Sequence, residues 1–186
     1  MVSLASLWAP IVISAILVFL VSSLIHMVLK YHNSDYKALP NEDAVREVIR
    51  NAKPEPREYI IPYCPDYKLM NSPEMQKKFA EGPLAVLTIK PAGSTAMGPT
   101  LVQWFIYSLF VSLVAGYVAS RSVAAGTDYL HVFRITGTVA FMGYAGAQLQ
   151  DSIWWGRPWS ITIKNMFDGL IYGLLTAGTF GWRWPR

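Results

Sequence analysis

Asp151, Lys164 and Asp168 are charged residues set in or beside long apolar stretches, and Gln148 and Asn165 accompany them. His26 and Gln103 stand near the edges of two other apolar stretches. An imidazole facing a carboxylate can pass a proton or hold a cation. Ionisable groups in an apolar medium cost about 2.5–3.5 kcal/mol on insertion scales, so they tend to be kept where they serve. The same groups can equally satisfy one another as a structural cluster, with Asp168 paired to Lys164 one turn away, or to His26 or Gln103 from neighbouring helices. Both readings stay open at this level. As metal ligands, His26, Asp151 and Asp168 come from separate stretches without diagnostic spacing, so no metal is assigned to them. His32 and His131 read as ordinary interfacial histidines, and Arg134 as an interfacial anchor.

Other chemistry is harder to find. The chain has no Gly-rich phosphate loop, no Ser/His/Asp grouping and no paired catalytic carboxylates. Its single cysteine, Cys64, allows neither an internal disulfide nor a zinc pattern. No catalytic residue and no cofactor is expected, and an enzyme is not the expected class.

The elements that carry these groups follow from how charge is distributed. Of 186 residues, 53% are hydrophobic, yet the mean hydropathy is only +0.29. Residues 30 to 90 hold 10 of the 16 Lys and Arg and 9 of the 12 Asp and Glu, while Met1 to Leu29 and Pro91 to Ser120 hold none. Each charge-free stretch exceeds the roughly 20 residues that cross a bilayer core. The expected fold is therefore an all-α membrane protein with four transmembrane helices: Trp8 to Leu29, Thr100 to Ser120, Tyr129 to Gln150 and Ile161 to Trp182. The N-terminus lacks a basic n-region, so the first stretch reads as a retained span rather than a signal peptide. Domain boundaries fall at 1–30 for the first helix, 31–99 for a charged extramembrane segment and 100–186 for the other three helices.

The 31–99 segment has its own punctuation. Asn41 before Glu42 and Asp43 starts a helix that Pro54 and Pro56 end, and Ser72-Pro73-Glu74 starts a second helix that Gly82 closes. Glu58 to Pro62 and Leu84 to Ile89 read as short strands that could pair, making a small α+β cap between the first two spans. Between 31 and 90 the nine basic residues balance nine acidic ones, which argues against a nucleic-acid partner. Alternating helix directions place His26, Gln103, Gln148, Asp151, Lys164, Asn165 and Asp168 toward the cap side, within roughly 10 Å of that interface. Lys30, Lys37, Lys90, Arg157 and Lys164 on the cap side stand against Arg121, Arg134, Arg183 and Arg186 on the terminal side, a small excess that favours a cytoplasmic cap by the positive-inside rule.

Small residues four apart mark close helix contacts in a membrane. Ser108, Ser112, Gly116 and Ser120 make one such row, Gly169, Gly173, Ala177 and Gly181 a second, and Gly143 with Ala147 a third. These rows join helices of one chain or of two.

The stretch Asp151 to Trp182 resembles the C-terminal end of small bacterial inner-membrane proteins known only as a domain of unknown function. There, a Gly-Arg-Pro-aromatic loop, here Gly156, Arg157, Pro158 and Trp159, leads into a last span rich in small residues. The long charged segment departs from the shorter connections of such proteins. The resemblance implies four spans in a bacterial inner membrane and carries no catalytic role. The expected function is a structural, scaffolding or accessory subunit that contacts membrane lipids and assembles through its small-residue faces, as a homo-oligomer or in a larger membrane complex. The alternative is a small transporter or channel component with a polar path lined by Asp151 and Asp168.

Overall fold

The computed structural model describes residues 2–93 and 96–186. In chain order its elements are α1 (Trp8–Met27), α2 (Glu42–Ala52), β1 (Glu58–Ile61), α3 (Pro73–Glu81), β2 (Ala85–Thr88), α4 (Gly98–Ser122), α5 (Tyr129–Phe141), α6 (Gln148–Trp155) and α7 (Trp159–Arg183). A 3₁₀ segment, Lys30–Asp35, follows α1, and a π-helical turn, Met142–Gly146, joins α5 to α6. Two compact units result, Met1–Lys37 with Ala96–Arg186, and Ala38–Thr95. Residues 31 to 37, expected in the charged segment, belong to the helical unit. Ser94 and Thr95 of that segment lie outside the described residues.

In the helical unit α1 packs on α4 and α7, and α5 packs on α4 and α7. One apolar cluster joins Leu7, Ile11, Ala119, Val132, Phe180 and Trp184; the other joins Val18, Ile25, Val111, Ala140, Tyr144 and Tyr172. The small-residue rows lie between these helices. Ser108, Ser112, Gly116 and Ser120 are buried, and Ser14 Oγ donates to Ser112 Oγ at 3.0 Å. A Cβ on Gly116 would sit 3.2 Å from the Phe180 ring and 3.3 Å from Ile11 Cδ1. On α7, a Cβ on Gly169 would fall 2.8 Å from Ala145 Cβ, and one on Gly173 3.3 Å from the Phe141 backbone. Ala177 meets Gly137, and Gly181 meets the Tyr129 ring. Gly143 packs on Val111, whereas Ala147 is exposed and lines a cleft with His26, Trp104 and Tyr172. The two long rows are thus spent on contacts within one chain.

Among the described residues two helical stretches, Leu4–Met27 and Gly98–Ser122, are long and apolar enough to cross a membrane, not four. Only 33% and 28% of their apolar windows is buried inside the protein, whereas a core helix of a soluble protein is mostly buried. Val12, Ile16, Leu20 and Leu24 on α1 and Val102, Ile106, Phe110 and Leu113 on α4 face outward. The expected third span fails because it is not one helix: α5 stops at Phe141 and the chain passes through the π turn before α6. Gly143 and Gly146 weaken the helix there. The expected fourth span is a single helix of 25 residues, but its apolar average is diluted. Asp168, Gly169, Tyr172, Gly173 and Thr176 are buried on one side, while Ile163, Phe167, Leu170 and Leu174 are exposed on the other.

The Ala38–Thr95 unit follows its punctuation. Ser72 Oγ accepts from Met75 N at 3.3 Å at the start of α3, and Gly82 closes that helix with a positive φ of 60°. β1 and β2 pair antiparallel, Glu58 opposite Thr88 and Ile61 opposite Ala85. Among its described residues Met75 is the one buried hydrophobic.

Close packing at Gly169 predicts that Gly169→Ala destabilises the helical unit by about 1–3 kcal/mol through overpacking. At Gly178 an added Cβ meets only Tyr129 Oη at 3.6 Å. Gly178→Ala should then be neutral or stabilise by up to about 1 kcal/mol, the helix-propensity gain. Thermal unfolding of both variants in detergent checks the contrast.

Candidate functional site

The polar groups of the helical unit gather around Asp168. This residue lies in the third turn of α7, and its side chain is 4% exposed. A buried carboxylate needs donors for both oxygens, because an unpaired one costs several kcal/mol. The donors come from the other end of the unit's sequence. Tyr31 Oη donates to Oδ1, and His32 Nε2 lies 2.8 Å from Oδ2. His26, in the last turn of α1, places its Nε2 3.9 Å from the same Oδ2, with Tyr172 Oη 3.5 Å away.

The 3₁₀ segment makes this reach possible. After α1 the chain extends at Leu29 and then coils tightly through Lys30–Asp35. Three residues per turn bring positions i and i+3 onto one face. His32 Nδ1 consequently meets Asp35 Oδ2 at 2.6 Å while its Nε2 points to Asp168. Lys164, one turn before Asp168 on α7, closes the group from the opposite side. Its Nζ donates to Tyr31 O and Ser34 Oγ, both at 2.8 Å, and to Asp35 Oδ1 at 2.5 Å. The chain Asp168, His32, Asp35, Lys164 alternates in charge when His32 is protonated. Burial alone would raise the Asp35 carboxyl, yet the hydrogen bonds and charges of Lys164 and His32 outweigh it and hold Asp35 below the ordinary carboxylate range.

A second polar group lies at the α6–α7 turn. Gly156 closes α6 in a left-handed conformation (φ 68°), and α7 begins directly after Pro158. Arg157 Nη1 donates to Asp151 Oδ2 at 2.9 Å and to Gln148 Oε1 at 3.3 Å, and Asn165 Nδ2 reaches Gln148 Oε1 at 3.4 Å. The Gly156-Arg157-Pro158-Trp159 motif is thereby a turn that ties α6 to α7.

A cleft of about 340 Å³ opens beside the Asp168 group, with His26, Asn165, Gln148 and Tyr172 on its polar side and Trp104 and Tyr144 among its aromatic walls. Trp104, Tyr107, Tyr144 and Tyr172 pack on one another with centroids 5.4 to 6.0 Å apart, edge to face except for the stacked Trp104–Tyr107 and tilted Trp104–Tyr144 pairs. Trp104 Nε1 donates to Ser22 Oγ at 2.7 Å, and Tyr107 Oη donates to the Gly143 carbonyl in the π turn at 2.6 Å.

The single expected cluster is therefore two groups and an outlier. His26, Lys164 and Asp168 come together, but Lys164 serves Asp35 rather than Asp168. Asp151, Gln148 and Asn165 gather around Arg157. Gln103 is exposed and joins neither group. Sequence reasoning passes over Tyr31, Ser34 and Asp35, because a polar run after an apolar span reads as the exit into water, and His32, expected as an ordinary interfacial histidine, instead bridges Asp35 and Asp168. The signal that would have found them is the His32–Asp35 spacing of three within a run rich in side-chain donors, next to a span that faces a buried carboxylate.

Comparison of the chain with protein-family models, with curated proteins and with solved structures finds no match. The site stands on its geometry alone.

A carboxylate whose folded pKa lies below its unfolded value, about 3.9 for Asp, contributes stability that is complete above that value. This contribution is lost as the pH falls through the folded pKa. The helical unit should thus lose thermal stability below about pH 4, and Asp35→Asn should be less stable at pH 7 with a shallower fall between pH 5 and 3. Unfolding midpoints across that range test the slope; an equal slope in both proteins rules out a stabilising role for the Asp35 carboxylate.

Proposed function

We propose that this chain is an integral-membrane accessory or scaffolding subunit of a larger membrane assembly, with α1 and α4 as its membrane-crossing helices and α5 and α7 packed on them. The observation that carries this reading is the Ala38–Thr95 unit. A unit this small, with Met75 as the one buried hydrophobic among its described residues, has little core of its own and gains stability from a partner surface. α2 has no buried residue, and Val48, 70% exposed, offers an apolar contact among charged neighbours.

Contacts between copies or with other subunits would run through this surface rather than through the small-residue rows, which are used inside the chain. The resemblance to bacterial inner-membrane proteins supports a cytoplasmic-membrane location. The basic residues Lys30, Lys37, Lys90, Arg157 and Lys164 support a cytoplasmic Ala38–Thr95 unit. Membrane lipids would face the exposed apolar sides of α1, α4 and α7. The transporter reading needs Asp151 and Asp168 on one lining, and their membership of separate polar groups favours the accessory reading over it. An enzymatic role has no supporting group of side chains in this reading.

Membranes washed at alkaline pH should retain the chain, and its release into the wash overturns membrane integration. Mass measurement after purification in mild detergent should give a particle larger than one chain, and Val48→Glu should shrink it without loss of helicity. A strictly monomeric particle with no partner overturns the accessory role.

A further inference from the structure

We propose that His26, His32 and Asp168 form a binding site for one divalent transition-metal ion of the zinc class, with Asp35 as the residue that orients His32. Both imidazoles bring Nε2 to the same carboxylate oxygen, at 2.8 and 3.9 Å from Asp168 Oδ2. The three ligand atoms all lie within 4.8 Å of one another. Ligands about 2.0–2.1 Å from a tetrahedral ion stand about 3.4 Å apart, so the ion fits once the 2.8 Å contact opens and the wider ones close by roughly 0.5 to 1.4 Å.

The surroundings are those of a ligand set rather than of a simple ion pair. His32 Nδ1 faces Asp35 Oδ2 at 2.6 Å, and a carboxylate at that nitrogen favours the tautomer with the ring proton on Nδ1 and the Nε2 lone pair toward Asp168. A lone pair facing a carboxylate oxygen requires a positive particle between them. A proton would serve His32 alone. It leaves unexplained why His26 brings Nε2 toward the same oxygen at a distance too long for a hydrogen bond, with its ring 4.6 Å from that of His32. An ion shared by three donors accounts for the convergence. Lys164 neutralises Asp35, so the orienting carboxylate does not compete for the ion.

The donor set of two nitrogens and one oxygen suits zinc, iron, cobalt or nickel and lacks the oxygen shell that calcium or magnesium needs. Three protein ligands leave a fourth position, and His26, half exposed, and Asp168 both border the 340 Å³ cleft from which water or a small anion would fill it. A divalent ion in place of the His32 proton adds one positive charge to the group, which an anionic fourth ligand from the cleft offsets.

The test uses the full chain in mild detergent, stripped with a chelator and titrated with Co²⁺ by visible absorption and with Zn²⁺ by calorimetry. One ion per chain is expected, with visible bands of a nitrogen- and oxygen-ligated Co²⁺. His32→Ala and Asp168→Asn should abolish binding, but both remove partners of a buried network and can unfold the unit. His26→Gln is the decisive variant, since the side chain of His26 is half exposed and its polar contacts, at 3.5 and 3.9 Å, are long. It should weaken binding at least tenfold with helicity intact, and Asp35→Asn should weaken it about 10–100-fold. His131→Gln, at an exposed position away from the group, should leave binding unchanged. Absence of saturable one-to-one binding, affinity unaltered in both His26→Gln and Asp35→Asn, or an equal loss in His131→Gln overturns the site.

Discussion

The burial of one carboxylate organises the helical unit. Asp168 sits inside α7 with its side chain 4% exposed, and such a group is tolerated only where donors reach it. Its own helix offers no donor to it, since Lys164 one turn away is committed elsewhere. The donors must come from a chain segment that can bend back into the bundle, and Tyr31 and His32 do so. That requirement explains why α1 ends at Met27, why the next residues coil as a 3₁₀ turn rather than leaving directly, and why Asp35 and Lys164 pair behind them. Removing one partner of a buried ion pair typically costs about 3–5 kcal/mol, so the contacts that tie the segment after α1 to α7 are expected to matter to the stability of the unit.

The small residues act at the same interface from the apolar side. Gly169 lies next to Asp168 and admits Ala145 of the π turn, while Gly173 admits the backbone of α5 at Phe141. Close approach of α5 and the π turn to α7 brings Tyr144 and Tyr172 beside the carboxylate and shapes the cleft. One face of α7 therefore carries the charge, the glycines and the aromatic wall. This is also why α7 falls short of an apolar span by composition. Its polar residues are sequestered inside, and averaging over the whole helix mixes two environments that the fold keeps apart.

Much of the fold was legible because its signals are local. Charge-free runs announced α1 and α4, and Ser72 with Pro73 and Gly82 bounded α3 within a residue. The paired strands followed from short β-branched and aromatic runs between prolines. The break in the third expected span was less legible: Gly143 and Gly146 weaken a helix, but the contacts that hold the π turn, Gly143 with Tyr107 and Val111 and Ala145 with Gly169, come from other helices. At the site, Asp168, Lys164 and His26 were legible as ionisable groups in apolar surroundings. Their partners were not, since nothing local separates a polar run that leaves for water from one that folds back.

The amino-acid sequence by itself determined which helices are apolar, where the Ala38–Thr95 unit bends and pairs, and that Asp168 lies on a face of small residues. These properties depend on side chains a few residues apart. Only the tertiary structure decided that the small-residue rows close within one chain, that Asp151 belongs to Arg157, and that Tyr31, His32 and Asp35 belong to Asp168 and Lys164. The pairings of Tyr31, His32 and Asp35 span more than a hundred residues, and hydrogen-bond geometry acts over about 3 Å. They exist only once α1, α4, α5 and α7 have brought the two ends of the unit together.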